Sequence, residues 1–193
     1  MTGPTFGAGA IMQRIRLLSQ TPDHLRALLT GADTYENRFG LRVAEGVSEF
    51  LAGPEVSAEF LERLNGASAP DPWKDGFAVV HIGDKTVIGL CSFTSPPDAD
   101  EIVEIAYGIA PGYQNRGHAT EAAQALIAYA FASGLVRTIR AHTLPAQNAS
   151  TQVLTKCGFT FIGEVMHAED GMVWRWEMHQ KPGPAKRLRD SSD

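Results

Sequence analysis

Cysteine is scarce in this 193-residue chain: only Cys91 and Cys157 are present, far apart and in no Cys-x-x-Cys pair. That excludes a disulfide framework and a cysteine zinc site, and it fits a reducing compartment. No stretch approaches the roughly 20 apolar residues of a membrane span. Residues 1–10 lack a basic segment followed by the roughly 7–15 apolar residues of a secretory signal. Positive charge is thin as well, with 17 Lys and Arg against 22 Asp and Glu, a formal net charge of -5. The one dense basic run, Lys186-Arg187-Leu188-Arg189, sits in the tail, so no continuous face for nucleic acid is expected. The six histidines show no His-x-x-x-His spacing, and no metal is expected. Neither Gly-x-x-x-x-Gly-Lys-Ser/Thr nor a Gly-x-Gly-x-x-Gly opening a βαβ unit occurs, which sets aside nucleotide hydrolysis and hydride transfer. The expectation is a cytoplasmic protein with neither membrane nor nucleic acid as a direct partner.

What is present is ordinary globular composition, 44% hydrophobic and 20% charged, enough for one sizeable core. Residues 1–12 read as a flexible leader, 13–181 as a single domain, and 182–193, opening on Pro-Gly-Pro, as a disordered tail. Residues 14–18 read as a strand and 22–30 as a helix, with Pro22 at its start and Gly31 past its end. Residues 33–72 carry helical apolar spacing at 47–51 and 58–64, broken by Gly53-Pro54 and closed by Asn65-Gly66, a loop-rich helical excursion. Strands 77–82 and 86–93 are joined by Gly83-Asp84. A third, 102–110, leads through Pro111-Gly112 into Gln114–Ala119.

Beyond that loop Ala119, Ala122, Ala123, Leu126, Ile127, Ala130 and Phe131 recur at helical spacing, and Gly134 ends the stripe. Strand 138–143, helix 150–157 stopped by Gly158, and a hairpin of 159–166 with 172–178 turned at Glu169-Asp170-Gly171 complete the chain. This order predicts an α/β (α+β) fold, a mixed central sheet of about seven strands with helices on its faces. The apolar last hairpin leaves a monomer or a homodimer open.

The central feature is Gln114-Asn115-Arg116-Gly117-His118-Ala119, placed between a strand and an amphipathic helix. A helix N-terminus offers unpaired N–H groups and partial positive charge, so a glycine-containing turn there suits a phosphate or pyrophosphate. Gly117 lets the backbone approach closely and Ala119 keeps the mouth small. An ordinary polar helix start reads equally well from these residues alone.

In these residues the chain resembles the GNAT superfamily of acyl-CoA-dependent N-acetyltransferases, whose hallmark Gln/Arg-x-x-Gly-x-Gly/Ala is matched by Gln114, Gly117 and Ala119. A second block, Asn148-Ala149-Ser150 followed by Val153-Leu154-Thr155-Lys156-Cys157-Gly158-Phe159, is similar to the branch holding the ribosomal-protein N-terminal acetyltransferases. The matched stretch covers about a third of the chain. The resemblance implies a GNAT-like domain that passes an acetyl group from acetyl-CoA to a primary amine, on a protein N-terminus or a small molecule, by direct attack. The alternative from another class is an acyl-CoA-binding module without catalysis.

The resemblance also implies residues. Gln114, Asn115, Arg116, Gly117, His118, Ala119 and Thr120 form the cofactor loop, His118 through its backbone, with strand N–H groups near Ile109 as oxyanion donors. Glu104, on the strand entering the loop, is the expected base, with Glu101 second; both read also as solvent-facing carboxylates, and water is an alternative proton acceptor. The tyrosine that protonates the leaving thiolate in this superfamily has Leu154 in its place. Ser150 is a candidate donor or a helix N-cap, and Asn148 a pantetheine ligand or a cap of the same helix. Trp174 and Trp176 share one strand face and either wall the acceptor site or fill core.

Overall fold

The computed structural model describes residues 13–51, 62, 64, 69–167 and 170–181. The expected leader and tail, and most of the helical spacing at 58–64, lie outside the described residues. Strand β1 (Ile15–Ser19) is followed by helices α1 (Pro22–Thr30) and α2 (Ala32–Phe39), the two-residue strand β2 (Arg42–Val43) and a 3-10 turn at Ser48–Leu51. After the short helix α3 (Pro72–Asp75) come β3 (Phe77–His81), β4 (Thr86–Phe93) and β5 (Ile102–Ile109). The long helix α4 (His118–Ala132), β6 (Thr138–Thr143), α5 (Ala149–Cys157), β7 (Thr160–His167) and β8 (Gly171–His179) complete the order.

One eight-stranded mixed sheet runs β1-β3-β4-β5-β6-β8-β7, with β2 added alongside β4. The expected α/β architecture is therefore present, one strand richer than read. The extra strand, β2, is too short to show a period of two, and it pairs in parallel at Arg42↔Thr86 and Val43↔Val87. The excursion after α1 also contains α2, whose apolar pattern is weak because one side chain, the fully buried Tyr35, is its anchor.

Alternation along the strands divides the core into two layers. Val79, Cys91, Phe93, Val103, Ile105 and Ile109 face α4 and α5, where Ala122, Leu126, Ala130 and Leu154 meet them. The opposite face carries Ala78, Val80, Val87 and Ala110 against Leu28, Tyr35 and Val47. Each such large aliphatic side chain contributes roughly 1.5–3 kcal/mol by leaving water. Trp176, 6% exposed, belongs to the α4–α5 layer, with its indole N–H donating to Thr143 Oγ1 at 3.2 Å. Trp174 packs against that same layer and bonds Glu164, so the pair fills core. The last hairpin exposes Phe161, Ile162, Met166 and Met172.

One discontinuity matters for function. Strand β5 is paired with β4 through Ile109, but with its parallel neighbour β6 only from Ile102↔Thr138 to Glu104↔Arg140. Past that rung the two strands part.

Candidate active site

The loop after β5 reaches α4 through two left-handed residues, Asn115 (φ 58) and Gly117 (φ 84), the latter being the helix N-cap. The first intrahelical bond runs from Glu121 N–H to Gly117 C=O, 3.1 Å. The N–H groups of His118, Ala119 and Thr120 therefore have no partner within the helix and crown its positive end. Residues 114–117 are exposed. A Cβ on Gly117 meets only the flexible end of the Arg14 side chain, at 3.1 Å. Backbone φ and the approach of an incoming anion are what demand glycine there. These features fit a pyrophosphate.

Side chains around the loop brace it. Gln114 turns its amide back to donate to Ile109 C=O at 2.8 Å, tying the loop to β5. The Arg116 guanidinium lies 5.7 Å from the Tyr113 ring centroid. The His118 side chain is buried, its ring 5.3 Å from that of His81. Burial, then the Arg14 charge, lowers its pKa from the usual histidine range. Arg14 also pairs with Glu121 in the first turn of α4.

The second part of the site is the opening between β5 and β6. Ala110 N–H donates to Ile88 C=O and Thr94 N–H to Glu104 C=O, so the even-numbered residues of β5 bond toward β4. By alternation the N–H groups of Ile105, Tyr107 and Ile109 point the other way, into the opening left by β6. They form a row of main-chain donors that β6 does not take up past Glu104. Along the face toward α1 and α2, β5 presents Glu104, Ala106 and Gly108; Ala106 is exposed in mid-strand, and a Cβ on Gly108 would meet the Phe50 ring at 2.9 Å. The face is thus an open cleft over Ala106, closed at Gly108 by the Phe50 ring.

Glu104 stands at this opening but not alone: its Oε1 lies 2.9 Å from Nδ1 of His142 on β6. Glu101 is instead paired with Arg137 at the far end of the strand. On the opposite face Tyr107 extends its hydroxyl to the carbonyl of Ser150, 3.4 Å away, in the first turn of α5. Burial, then Cys157, pushes the Tyr107 phenol above its ordinary range. Leu154 is buried core, whereas Tyr107 brings a phenol to the same helix from β5. Asn148 is the α5 N-cap: its Oδ1 accepts from Thr151 N–H at 3.0 Å while Thr151 Oγ1 accepts from Asn148 N–H at 3.0 Å. Ser150, inside the helix, is therefore not the cap, and its side chain is exposed.

His142 and Tyr107 escaped the sequence reading. Tyr107 is the one phenol in β5, a weak signal, and nothing local marks His142. Among the described residues no group of three or more His, Cys, Asp or Glu is arranged to hold a metal ion, and no helix is long and apolar enough to cross a membrane.

The sequence model of the Acetyltransferase (GNAT) domain family matches residues 14–160. The uncharacterized N-acetyltransferase YjdG of Bacillus subtilis (strain 168) is 28% identical over 112 residues, 58% of this chain and 64% of that protein. The alignment thus spans just under two thirds of that relative. The structure resembles the ribosomal-protein-S5-alanine acetyltransferase of Vibrio fischeri, with TM-score 0.58, 18% identity, and coverage of 87% of this chain and 94% of the other. It also resembles the microcin C7 self immunity acetyltransferase MccE, solved with acetyl-CoA and AMP, with TM-score 0.60, 18% identity, and coverage of 87% and 93%. At these identities the two structural likenesses establish the fold.

Proposed function

This chain belongs to the GNAT acetyltransferase family, and we propose that it is an N-acetyltransferase which transfers the acetyl group of acetyl-CoA to a primary amine, on a protein N-terminus or a small molecule, in the cytoplasm. The observation that carries this reading is one strand serving two purposes. β5 loses its β6 partner after Glu104, exposing a row of N–H donors, and runs straight on into the loop whose N–H groups crown α4. A phosphate-bearing arm threaded along the opening meets anion-binding groups at one end and charge-stabilising groups at the other. The presence of acetyl-CoA in the structurally similar MccE complex supports the assignment.

Bound acetyl-CoA supplies an activated thioester, in which a C–N bond to the amine replaces the C–S bond and the sulfur leaves as thiolate. Gln114, Asn115, Arg116, Gly117, His118, Ala119 and Thr120 hold its pyrophosphate, chiefly by backbone N–H groups. Ile109 and Tyr107 N–H groups face the developing negative charge on the acyl oxygen, where donors already in place lower the barrier without reorganisation. Clamping both reactants in one cleft removes much of the entropic cost of their encounter. The ammonium proton leaves on the Glu104 side of the cleft. The Tyr107 hydroxyl, kept protonated by burial, is the phenol that sits beside the leaving-group side of β5. Asn148 and Ser150 act through the first turn of α5, the former by capping it and the latter by holding the Tyr107 hydroxyl on its carbonyl.

Calorimetric titration with acetyl-CoA and free CoA, followed by turnover over a panel of amines, tests the proposal. Micromolar binding with transfer to at least one amine is expected. Binding without transfer to any amine points instead to an acyl-CoA-binding module, and no binding reduces the loop to an ordinary helix start.

A further inference from the structure

The place where β5 and β6 separate holds a pair of titratable side chains that share one sheet face. Glu104 and Arg140 are the last paired residues, and His142, two positions beyond Arg140, projects to the same side as Glu104. The Glu104 carboxylate bonds His142 Nδ1 at 2.9 Å, which fixes the neutral ring as the Nδ1–H tautomer and leaves Nε2 with a free lone pair. That Nε2 is buried and has no hydrogen-bond partner among the described residues. A buried acceptor without a donor is costly, and the cost is relieved when a donor arrives. An ammonium N–H is such a donor.

Building on the N-acetyltransferase reading, we propose that His142 Nε2 is the atom that deprotonates the incoming ammonium, and that Glu104 is a positioning residue that orients the imidazole. The ammonium N–H proton passes to Nε2, converting R-NH3+ to R-NH2 and imidazole to imidazolium. The nitrogen lone pair then forms the C–N bond while the C–S electron pair goes to sulfur. A second proton from the nitrogen neutralises the thiolate, and the imidazolium returns its proton to solvent. This is the division of labour of a base and its orienting carboxylate, which gives the proton to the nitrogen and the geometry to the oxygen.

Other charged and titratable groups face this ring from each strand packed beside it. Arg140, two residues away on β6, is committed to Glu177 of β8 at 3.0 Å. Arg175 of β8 lies in direct register with His142 and has a buried Nε without a hydrogen-bond partner among the described residues. From β7, the His167 ring stands 5.4 Å away, tilted by 50°, with its Nδ1 3.1 Å from Asp170. These groups surround the ring to which the amine must bring its charge.

Two measurements on the full chain judge the assignment. Long-range 1H–15N correlation of the imidazole rings is expected to show His142 as the Nδ1–H tautomer in the wild type, with that preference weakened in Glu104→Gln. An Nε2–H tautomer in the wild type overturns the proposal without reference to activity. In steady-state kinetics with an amine that the wild type acetylates, His142→Gln is expected to lower kcat/KM at neutral pH by on the order of 100-fold, the lower end of general-base contributions. The deficit should shrink as pH rises and the amine deprotonates unaided, while calorimetric acetyl-CoA affinity stays unchanged. Glu104→Gln, whose amide oxygen can still accept from Nδ1–H, should show a smaller loss. An unchanged pH profile in His142→Gln, with the full loss carried by Glu104→Gln, overturns the assignment and makes Glu104 the base. A wild type that acetylates no amine counts against the functional reading, and the tautomer measurement still decides the pair.

Discussion

The two ends of β5 are built by opposite means. At its C-terminal end the proposed anion-binding loop is made of consecutive residues, and the groups it offers are main-chain N–H donors aligned by one glycine and one helix start. Along the strand's length, the cleft takes Glu104 from β5, His142 from β6 and the His167 ring from β7, while on the other face of β5 the Tyr107 hydroxyl reaches the Ser150 carbonyl of α5. A backbone site tolerates most side-chain replacements and is sensitive to φ. A side-chain site tolerates backbone drift poorly, because four elements must agree before two atoms come within hydrogen-bond distance.

The difference can be pressed hardest at Gly117. Gly117→Val places a β-branched residue at φ 84 and blocks the anion's approach. Losing two charge-assisted backbone bonds, at about 1.5 kcal/mol each, should weaken acetyl-CoA binding by roughly 100-fold on calorimetry. The midpoint of thermal unfolding should fall by only a few degrees. Unchanged affinity would sink the cofactor loop and the contrast with it.

A smaller effect is expected at Tyr107, on the other face of β5. Tyr107→Phe keeps the ring in the core and deletes the hydroxyl that donates to Ser150. Turnover should fall about tenfold, less than a typical general acid supplies, since a thiolate leaves readily by itself. Acetyl-CoA affinity should be retained; a loss of affinity with kcat intact would move Tyr107 from chemistry to binding.

Asn148 tests whether the second sequence block acts by structure. Asn148→Ala removes the α5 cap and should cost about 1 kcal/mol of stability in denaturant titration. A stability equal to wild type together with a large loss of cofactor affinity would make Asn148 a ligand instead.

The smallest effect joins the two regions. Cys157 Sγ lies 3.9 Å from the Thr120 carbonyl of α4, and burial raises its thiol to about 11 from the usual 9.0. Because the thiolate is the reactive form, alkylation monitored by mass spectrometry should rise about tenfold per pH unit up to about 11 instead of levelling near 9. Levelling at 9 would show that α4 and α5 open together in solution.

The strands at 77–82, 86–93 and 102–110 and the helix after Ala119 were legible because period-2 and 3.6-residue patterns are local. Gly117 was legible for the same reason: strand, turn, glycine and amphipathic stripe follow one another without a gap. The excursion at 33–72 was only partly so, since α2 has a single buried anchor in Tyr35 and β2 has two residues, too few for any period. Asn148 and Ser150 were left interchangeable as caps because either could begin the helix; the reciprocal bonds with Thr151 decided for Asn148.

By itself the sequence determined the order of the longer elements from β3 onward, the α/β class and the glycine turn that opens α4, each of which depends on residues within one helical turn or one strand. Tertiary structure alone decided where β6 leaves β5, that Glu104 is bonded to a histidine 38 residues away, and that a phenol from β5 reaches a helix whose own position holds Leu154. Those facts rest on how strands from distant parts of the chain are ordered and registered, and no local periodicity encodes which residues will stand opposite one another.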